Sequence, residues 1–227
     1  MKRYLPFILI AAVAVITAVA GTLFYHAKSE EARQAAAAEV LQIAPGTKPG
    51  AAPPHLRGDR RAPVTIEEFA DFQCPPCGLL AGMLHQLEEE YRGRLRIVFR
   101  HFPLDGHKHA RLAAVSAEAA GQQGKFWEMH DLIYQHRTTW STADDARPLF
   151  TQYAESLGLD MARFRADLDN PALIARVDAD QERGHSVNVS STPTVFLNNQ
   201  PVPPASFSPP ALRTLIDAAL AAPSPTP

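Results

Sequence analysis

Residues 64–77 read VTIEEFADFQCPPC, and the order of residue types in that run decides the architecture. Val64 to Phe72 is rich in β-branched and aromatic residues, the composition of a strand. Cys74 then opens a helix that reaches about Tyr91. Pro75 and Pro76 fall in its first turn, where N–H groups have no intrahelical acceptor and their loss costs little. A Cys-x-x-Cys at a strand-to-helix junction has a chemical logic. The first sulfur lies over the helix N-terminus, where unpaired N–H groups and the dipole favour a thiolate. The second lies a turn further in, less exposed and close enough to bond to the first. Cys74 is then the attacking thiolate when reduced and the better leaving group when oxidised, and Cys77 closes the intramolecular bond.

These are the chain's two cysteines. Two thiols exclude a multi-bridge scaffold and a four-thiolate metal site. Gly78, not a haem-attachment histidine, follows Cys77, and His85 is a lone companion better suited to a solvated helix face. No metal is therefore expected. A purely structural disulfide closing two intervening residues removes little chain entropy. Redox work is what remains.

Downstream, Leu95 to Phe102 (LRIVFRHF) alternates as a second strand. From about 106 to 187 the pattern becomes helical: Phe126, Met129, His130 and Ile133 share one face, and Leu149, Phe150, Tyr153, Ala154 and Leu157 another. Pro148 marks a helix start, and Asn170-Pro171 reads as an N-cap followed by proline at the first helical position. Thr194 to Leu197 is a strand, Asn198-Asn199 a turn pair that tolerates positive φ, and Gln200 to Pro203 a return strand kept at an edge by its prolines. Leu212, Leu215, Ile216 and Leu220 make a last amphipathic helix.

Upstream, Lys2 and Arg3 precede an uncharged run from Tyr4 to Tyr25, about 33 Å long as a helix against a hydrocarbon core of roughly 30 Å. It reads either as a membrane anchor or as a secretory signal ending at Ala18-Val19-Ala20. Both place residues beyond 25 outside the cytoplasm, leaving 1–3 as a cytoplasmic stub, and an exported domain sits where disulfides persist. Residues 26–55 read as a polar helical spacer (28–44) followed by a Pro/Gly-rich linker, and 221–227 as a disordered tail. With 22 basic against 24 acidic residues in 227, nothing argues for nucleic-acid binding.

The order EEFADFQCPPC, a helical middle, then STPTVFLNNQ resembles the DsbA-like thiol–disulfide oxidoreductases of the thioredoxin superfamily, particularly the membrane-anchored bacterial kind. The resemblance covers about residues 56–220, and HFPLDGHKHARLAAVSAEAA and GKFWEMHDLIY look like that family's helical insert. It implies a thioredoxin-like α/β fold, a small mixed sheet flanked by helices, interrupted by a helical subdomain. It also implies that Pro193 is a cis-proline opposite the sulfurs, with Thr192 before it free to pair with an extended substrate. Glu68, six residues before Cys74, takes the place of the superfamily's buried acid and would relay a proton to or from Cys77. Strand alternation sets Glu68 on the face opposite Glu67, although a one-residue register shift exchanges them.

The implied activity is exported exchange of disulfides with cysteine-containing protein substrates, in the donor direction, with no cofactor in the chain. The implied setting is the periplasmic side of a bacterial inner membrane. A membrane quinone-linked oxidase of the DsbB or vitamin K epoxide reductase type would restore the disulfide. A membrane-fed reductase or isomerase is the alternative within the same chemistry, and a non-catalytic export-side chaperone the alternative outside it. Pro75-Pro76 departs from the strongly oxidising members, which carry a histidine beside the second cysteine. With two donors lost, the Cys74 thiol is expected to be less acidic than theirs. His101, His107 and His109 are expected in cap or surface roles, and Phe126 and Trp127 in the core.

Overall fold

Strand propensity and complete burial coincide in Val64–Ala70, which becomes the central strand β2 of a five-stranded sheet. The computed structural model describes residues 17, 19–22, 24, 28 and 47–222. The expected membrane-directed run, the spacer helix and residues 223–227 lie wholly or mostly outside them. Among the described residues no helix is long and apolar enough to cross a membrane. The sheet runs β1 (His55–Gly58), β3 (Leu95–His101), β2, β4 (Thr194–Leu197), β5 (Gln200–Val202). β2 pairs parallel with β3, Glu68 beside Phe99, and antiparallel with β4, Glu68 beside Val195. Helix α1 (Pro75–Glu90) makes the crossover between β2 and β3, as parallel neighbours require.

The edge strand β1 has no counterpart in the sequence reading. Its four residues, HLRG, show no apolar alternation, and what holds them is tertiary. They pair antiparallel with β3, Trp127 Nε1 donates to the Leu56 carbonyl at 3.0 Å, and the Arg57 guanidinium lies 4.3 Å from the Trp127 ring centroid.

The helical middle is α2 (Ala110–Gly121), α3 (Phe126–Gln135), the single turn α4 (Arg137–Trp140), α5 (Arg147–Ser156), α6 (Met161–Asp167) and α7 (Pro171–Ser186). α2 is buried nearly all round, and its run of alanines lets the neighbouring helices close on it. The expected stripe Phe126, Met129, His130 and Ile133 is buried on α3. Asn170 caps α7 through a 3.0 Å bond from the Ala172 amide. Asp160, not singled out beforehand, caps α6 through Ala162 and Arg163. At Gly184, α7 presses on the ring of Phe102. A Cβ there would stand 2.6 Å from two ring carbons, so alanine overpacks the contact by about 1–3 kcal/mol. The last helix, α8 (Pro209–Ala221), buries Leu212 and Ile216 against the sheet.

The segment expected to be a linker is strapped to the domain from residue 48 onward. Arg183 donates to the Lys48 carbonyl, Arg100 to those of Pro49 and Ala51, and the Ala51 amide donates to Asp180 at 2.8 Å. These arginines are held in turn by Glu67 and Asp180 in a buried network, with ion-pair distances of 2.6–2.9 Å.

Candidate functional site

The turn between β2 and α1 is built around Asp71. Its carboxylate accepts from the amides of Gln73 (2.6 Å) and Leu104 (2.9 Å) and sits 2.6 Å from His107 Nδ1. Its carbonyl accepts from the Cys74 amide at 3.1 Å. Those bonds end β2 at Ala70, two residues before the alternation suggested, and present Cys74 as the N-cap of α1. Gln73 ties the turn to the insertion, donating to the Ser141 carbonyl and accepting from the His109 amide.

Both cysteines are free thiols in this structure, Cys74 5% exposed and Cys77 fully buried. The Thr192–Pro193 peptide bond is cis, and the Cys74 thiol donates to the Thr192 carbonyl across the groove at 3.4 Å. A hydrogen bond from Cys77 is the main influence drawing the Cys74 thiol down from 9.0 to about 6. Burial opposes it, and smaller contributions from Thr192 and from the Cys77 backbone act in the same direction as the Cys77 bond. The Thr192 hydroxyl is buried and has no hydrogen bond of standard geometry among the described residues, so it is available to an ionised sulfur. Burial pushes the Cys77 thiol far up, reinforced by the bond to Cys74 and by the Glu68 charge. One sulfur is thus prepared as a thiolate and the other held as a thiol.

Glu68 and Glu67 lie on opposite faces of β2, both buried. Glu67 accepts from Arg183 and Arg100. Oε1 of Glu68 has no hydrogen-bond partner among the described residues. Burial, with a smaller contribution from the Cys74 charge, raises the Glu68 carboxyl to about 8. Behind it the hydroxyl of Tyr134 is also buried and unpartnered among the described residues. Sequence reasoning passed over Tyr134, which is one step off the apolar stripe of α3. It passed over Asp71 too, although an acid between a strand and a helix N-cap is a recognisable turn former.

The histidines at the end of β3 and beyond it correct an expectation in part: His109 does stand at the N-cap position of α2, though without a side-chain cap bond, and it is His101 and the burial of His109 that differ. His101 is buried, its Nε2 3.2 Å from Glu118. His109 is buried with Nε2 at 2.7 Å from the Ala143 carbonyl. The insertion covers the end of β3, so residues that look terminal in sequence are interior in space. His107 alone is partly exposed, and it meets Asp71 rather than solvent only. Phe126 is in the core as expected, while Trp127 is half-buried against β1.

Beside the sulfurs runs a groove of about 430 Å³ walled by Pro76, Leu79, Met83, Pro193 and Phe207. Leu79, at 71% exposure, stands out of its rim.

A thioredoxin family model matches residues 51–218. The chain is 44% identical over 148 residues to the Na(+)/H(+) antiporter NhaA 3 of Salinispora tropica. It is 36% identical over 146 residues to the Na(+)/H(+) antiporter NhaA of Herminiimonas arsenicoxydans. Each match takes in 64% of this chain and 22% of the relative, so the chain spans about a fifth of the length of these relatives. Among solved structures, oxidised BdbD from Bacillus subtilis superposes with a TM-score of 0.66 at 21% identity, over 77% of this chain and 98% of that one. DsbA2 of Pseudomonas aeruginosa does so at 0.57 and 26%, over 72% and 92%. The mixed sheet flanked by helices is the fold shared with both.

Proposed function

The chain belongs to the thioredoxin family, and from that premise we propose that it exchanges disulfides with exported protein substrates through Cys74 and Cys77. The observation that carries the reading is the asymmetry of the sulfurs. Cys74 caps a helix with its thiol drawn down to about 6, and Cys77 is sealed beside a carboxyl raised to about 8. In the donor direction a substrate thiolate attacks Cys74 Sγ of the disulfide, and the S–S bond breaks toward Cys77. The buried leaving thiolate takes the Glu68 proton. A second substrate thiolate then attacks the substrate sulfur bound to Cys74. A substrate disulfide forms, Cys74 leaves as a stabilised thiolate, and the protein is reduced by two electrons. Thr192 and Pro193 line the groove beside Cys74, and the apolar rim suits an unfolded segment.

A Cys74 thiol near 6 falls between about 3.5 for the strongest oxidant of this fold and about 7 for thioredoxin. That fits a moderate potential, and the donor direction itself is taken from the resemblance. By resemblance, reoxidation falls to a quinone-linked membrane enzyme, with the domain held on the outer side of an inner membrane. Ion transport is not part of the reading, because the match covers only a fifth of each antiporter relative. The test is the equilibrium potential in glutathione buffers together with oxidation of a reduced dithiol peptide. A donor sits near −120 to −180 mV and loses turnover in Cys74→Ser. A potential near −270 mV reverses the direction to a reductase, and peptide binding without turnover in the parent leaves only a chaperone.

A further inference from the structure

We propose that His55, His101 and Glu118 form a binding site for a divalent first-row transition ion of the zinc class, independent of the sulfur chemistry. The three residues come from three elements: the start of β1, the end of β3 and the middle of α2. Their ligand atoms lie within 4.8 Å of one another. Two imidazole nitrogens converge on a single carboxylate oxygen: Nε2 of His55 at 2.9 Å and Nε2 of His101 at 3.2 Å from Glu118 Oε1. With metal bonds of about 2.0–2.1 Å, ligand atoms on one ion stand about 2.9 Å apart at right angles and about 3.4 Å apart in a tetrahedron. The two nitrogen–oxygen spacings fall within that interval and the third separation is no more than 4.8 Å, so an ion replaces the two hydrogen bonds as the rings close on it.

The donors are held in place before any ion arrives. The His55 ring is stacked on Phe126, centroids 3.4 Å apart and planes 4° from parallel. Gly121 leaves room for it, since a Cβ there would stand 3.3 Å from His55 Cε1. His101 is packed edge-on against Phe99 and Phe126. The site lies at the wall of a cleft of about 600 Å³ lined by Pro53, His55, Glu118, Asn170 and Arg176, which admits an ion and the water that completes its shell.

Two features limit the affinity. Arg176 Nε holds the other oxygen of Glu118 at 2.7 Å, and its charge opposes a cation. His101 Nδ1 is buried and has no partner among the described residues, so the proton that coordination moves to that nitrogen finds no acceptor. The ion is therefore exchangeable, joining the edge strand to the insertion without being needed for folding.

The experiment titrates the full chain carrying Cys74→Ser and Cys77→Ser, so that no thiol competes, with Zn2+ by calorimetry and with Co2+ by visible absorption. One ion per chain is expected, with cobalt bands free of sulfur charge transfer. His55→Asn, at a partly exposed edge position, and Glu118→Gln each weaken binding by about tenfold or more. Arg176→Met tightens it, an effect that a purely structural Glu118–Arg176 pair does not produce. Binding that His55→Asn leaves unchanged, or none at millimolar ion, overturns the site. If Glu118→Gln fails to fold, the His55 and Arg176 variants decide the question.

Discussion

Glu67 and Glu68 are neighbours on one strand, 3% and 2% exposed, and their surroundings drive them apart. Burial pushes both carboxyls up. On the Glu67 face Arg183 and Arg100 more than reverse that push, and the carboxyl ends below its ordinary value. On the Glu68 face nothing reverses it, and the carboxyl rises to about 8. The first face is saturated with hydrogen bonds and serves to hold the segment from residue 48 against the sheet. The second keeps together a carboxyl whose Oε1 has no hydrogen-bond partner among the described residues, a tyrosine hydroxyl in the same condition and two thiols. An unpaired buried acid costs stability, and a fold that retains one has put a proton where sulfur chemistry needs it.

The contrast is open to attack from either face. The largest effect is expected from Arg183→Met, which leaves Glu67 with the single guanidinium of Arg100, itself shared with Asp180. Removing one partner from a buried network costs about 3–5 kcal/mol, read from urea unfolding. A loss below about 1 kcal/mol means the arginines are not what holds this face.

The Glu68 face is tested by pH. Its carboxyl ionises near 4.5 when unfolded and near 8 when folded, so the native state keeps a proton the unfolded chain has lost. Stability must then fall as pH rises from about 4.5 to 8, by at most 1.4 kcal/mol per unit. Glu67 runs the opposite way: its contribution is present above the ordinary carboxylate range and is lost as pH falls through its lowered value. In a Cys74→Ser background, which removes the opposing thiolate titration, Glu68→Gln should flatten the fall, so that the variant gains on the parent as pH rises from about 4.5 to 8. A parent profile already flat over that range would rule out the unpaired carboxyl.

A smaller effect is expected from Thr192→Val, which removes the hydroxyl beside Cys74. Thiolate absorbance near 240 nm should show the Cys74 midpoint rising from about 6 by up to about one unit, up to tenfold less thiolate at low pH. The smallest change in stability belongs to Leu79→Ser, at an exposed rim position, within about 0.5 kcal/mol. Its KM for an extended peptide should rise while the Cys74 midpoint stays put, separating the groove from the electrostatics.

Much of this was legible in the chain. β-branched and aromatic residues from Val64, prolines confined to first turns, the apolar stripe on α3 and the proline before TVFL are local signals, and each became the corresponding element. The short strand β1 was not legible, because HLRG carries no alternation and is held by Trp127 and β3. Nor was the strap at 48–53: proline and glycine mark irregular backbone, but whether that backbone is free or docked depends on three arginines far along the chain, Arg100, Arg176 and Arg183. His101 misled for the same reason. Its position at a strand end suggests exposure, and only the insertion folding over it makes it interior.

What the sequence determined by itself was the succession from Val64 onward of strand, helix, strand, helical middle, strand pair and helix, and the placement of a thiol at a helix N-cap with a second thiol one turn behind, since those follow from local sterics and the backbone dipole. What the tertiary structure decided was which of two adjacent acids is neutralised by arginine and which is left alone. Alternation assigns them to opposite faces but not to partners, and a carboxyl's charge in a dry interior is set by whatever distant residue the fold brings against it.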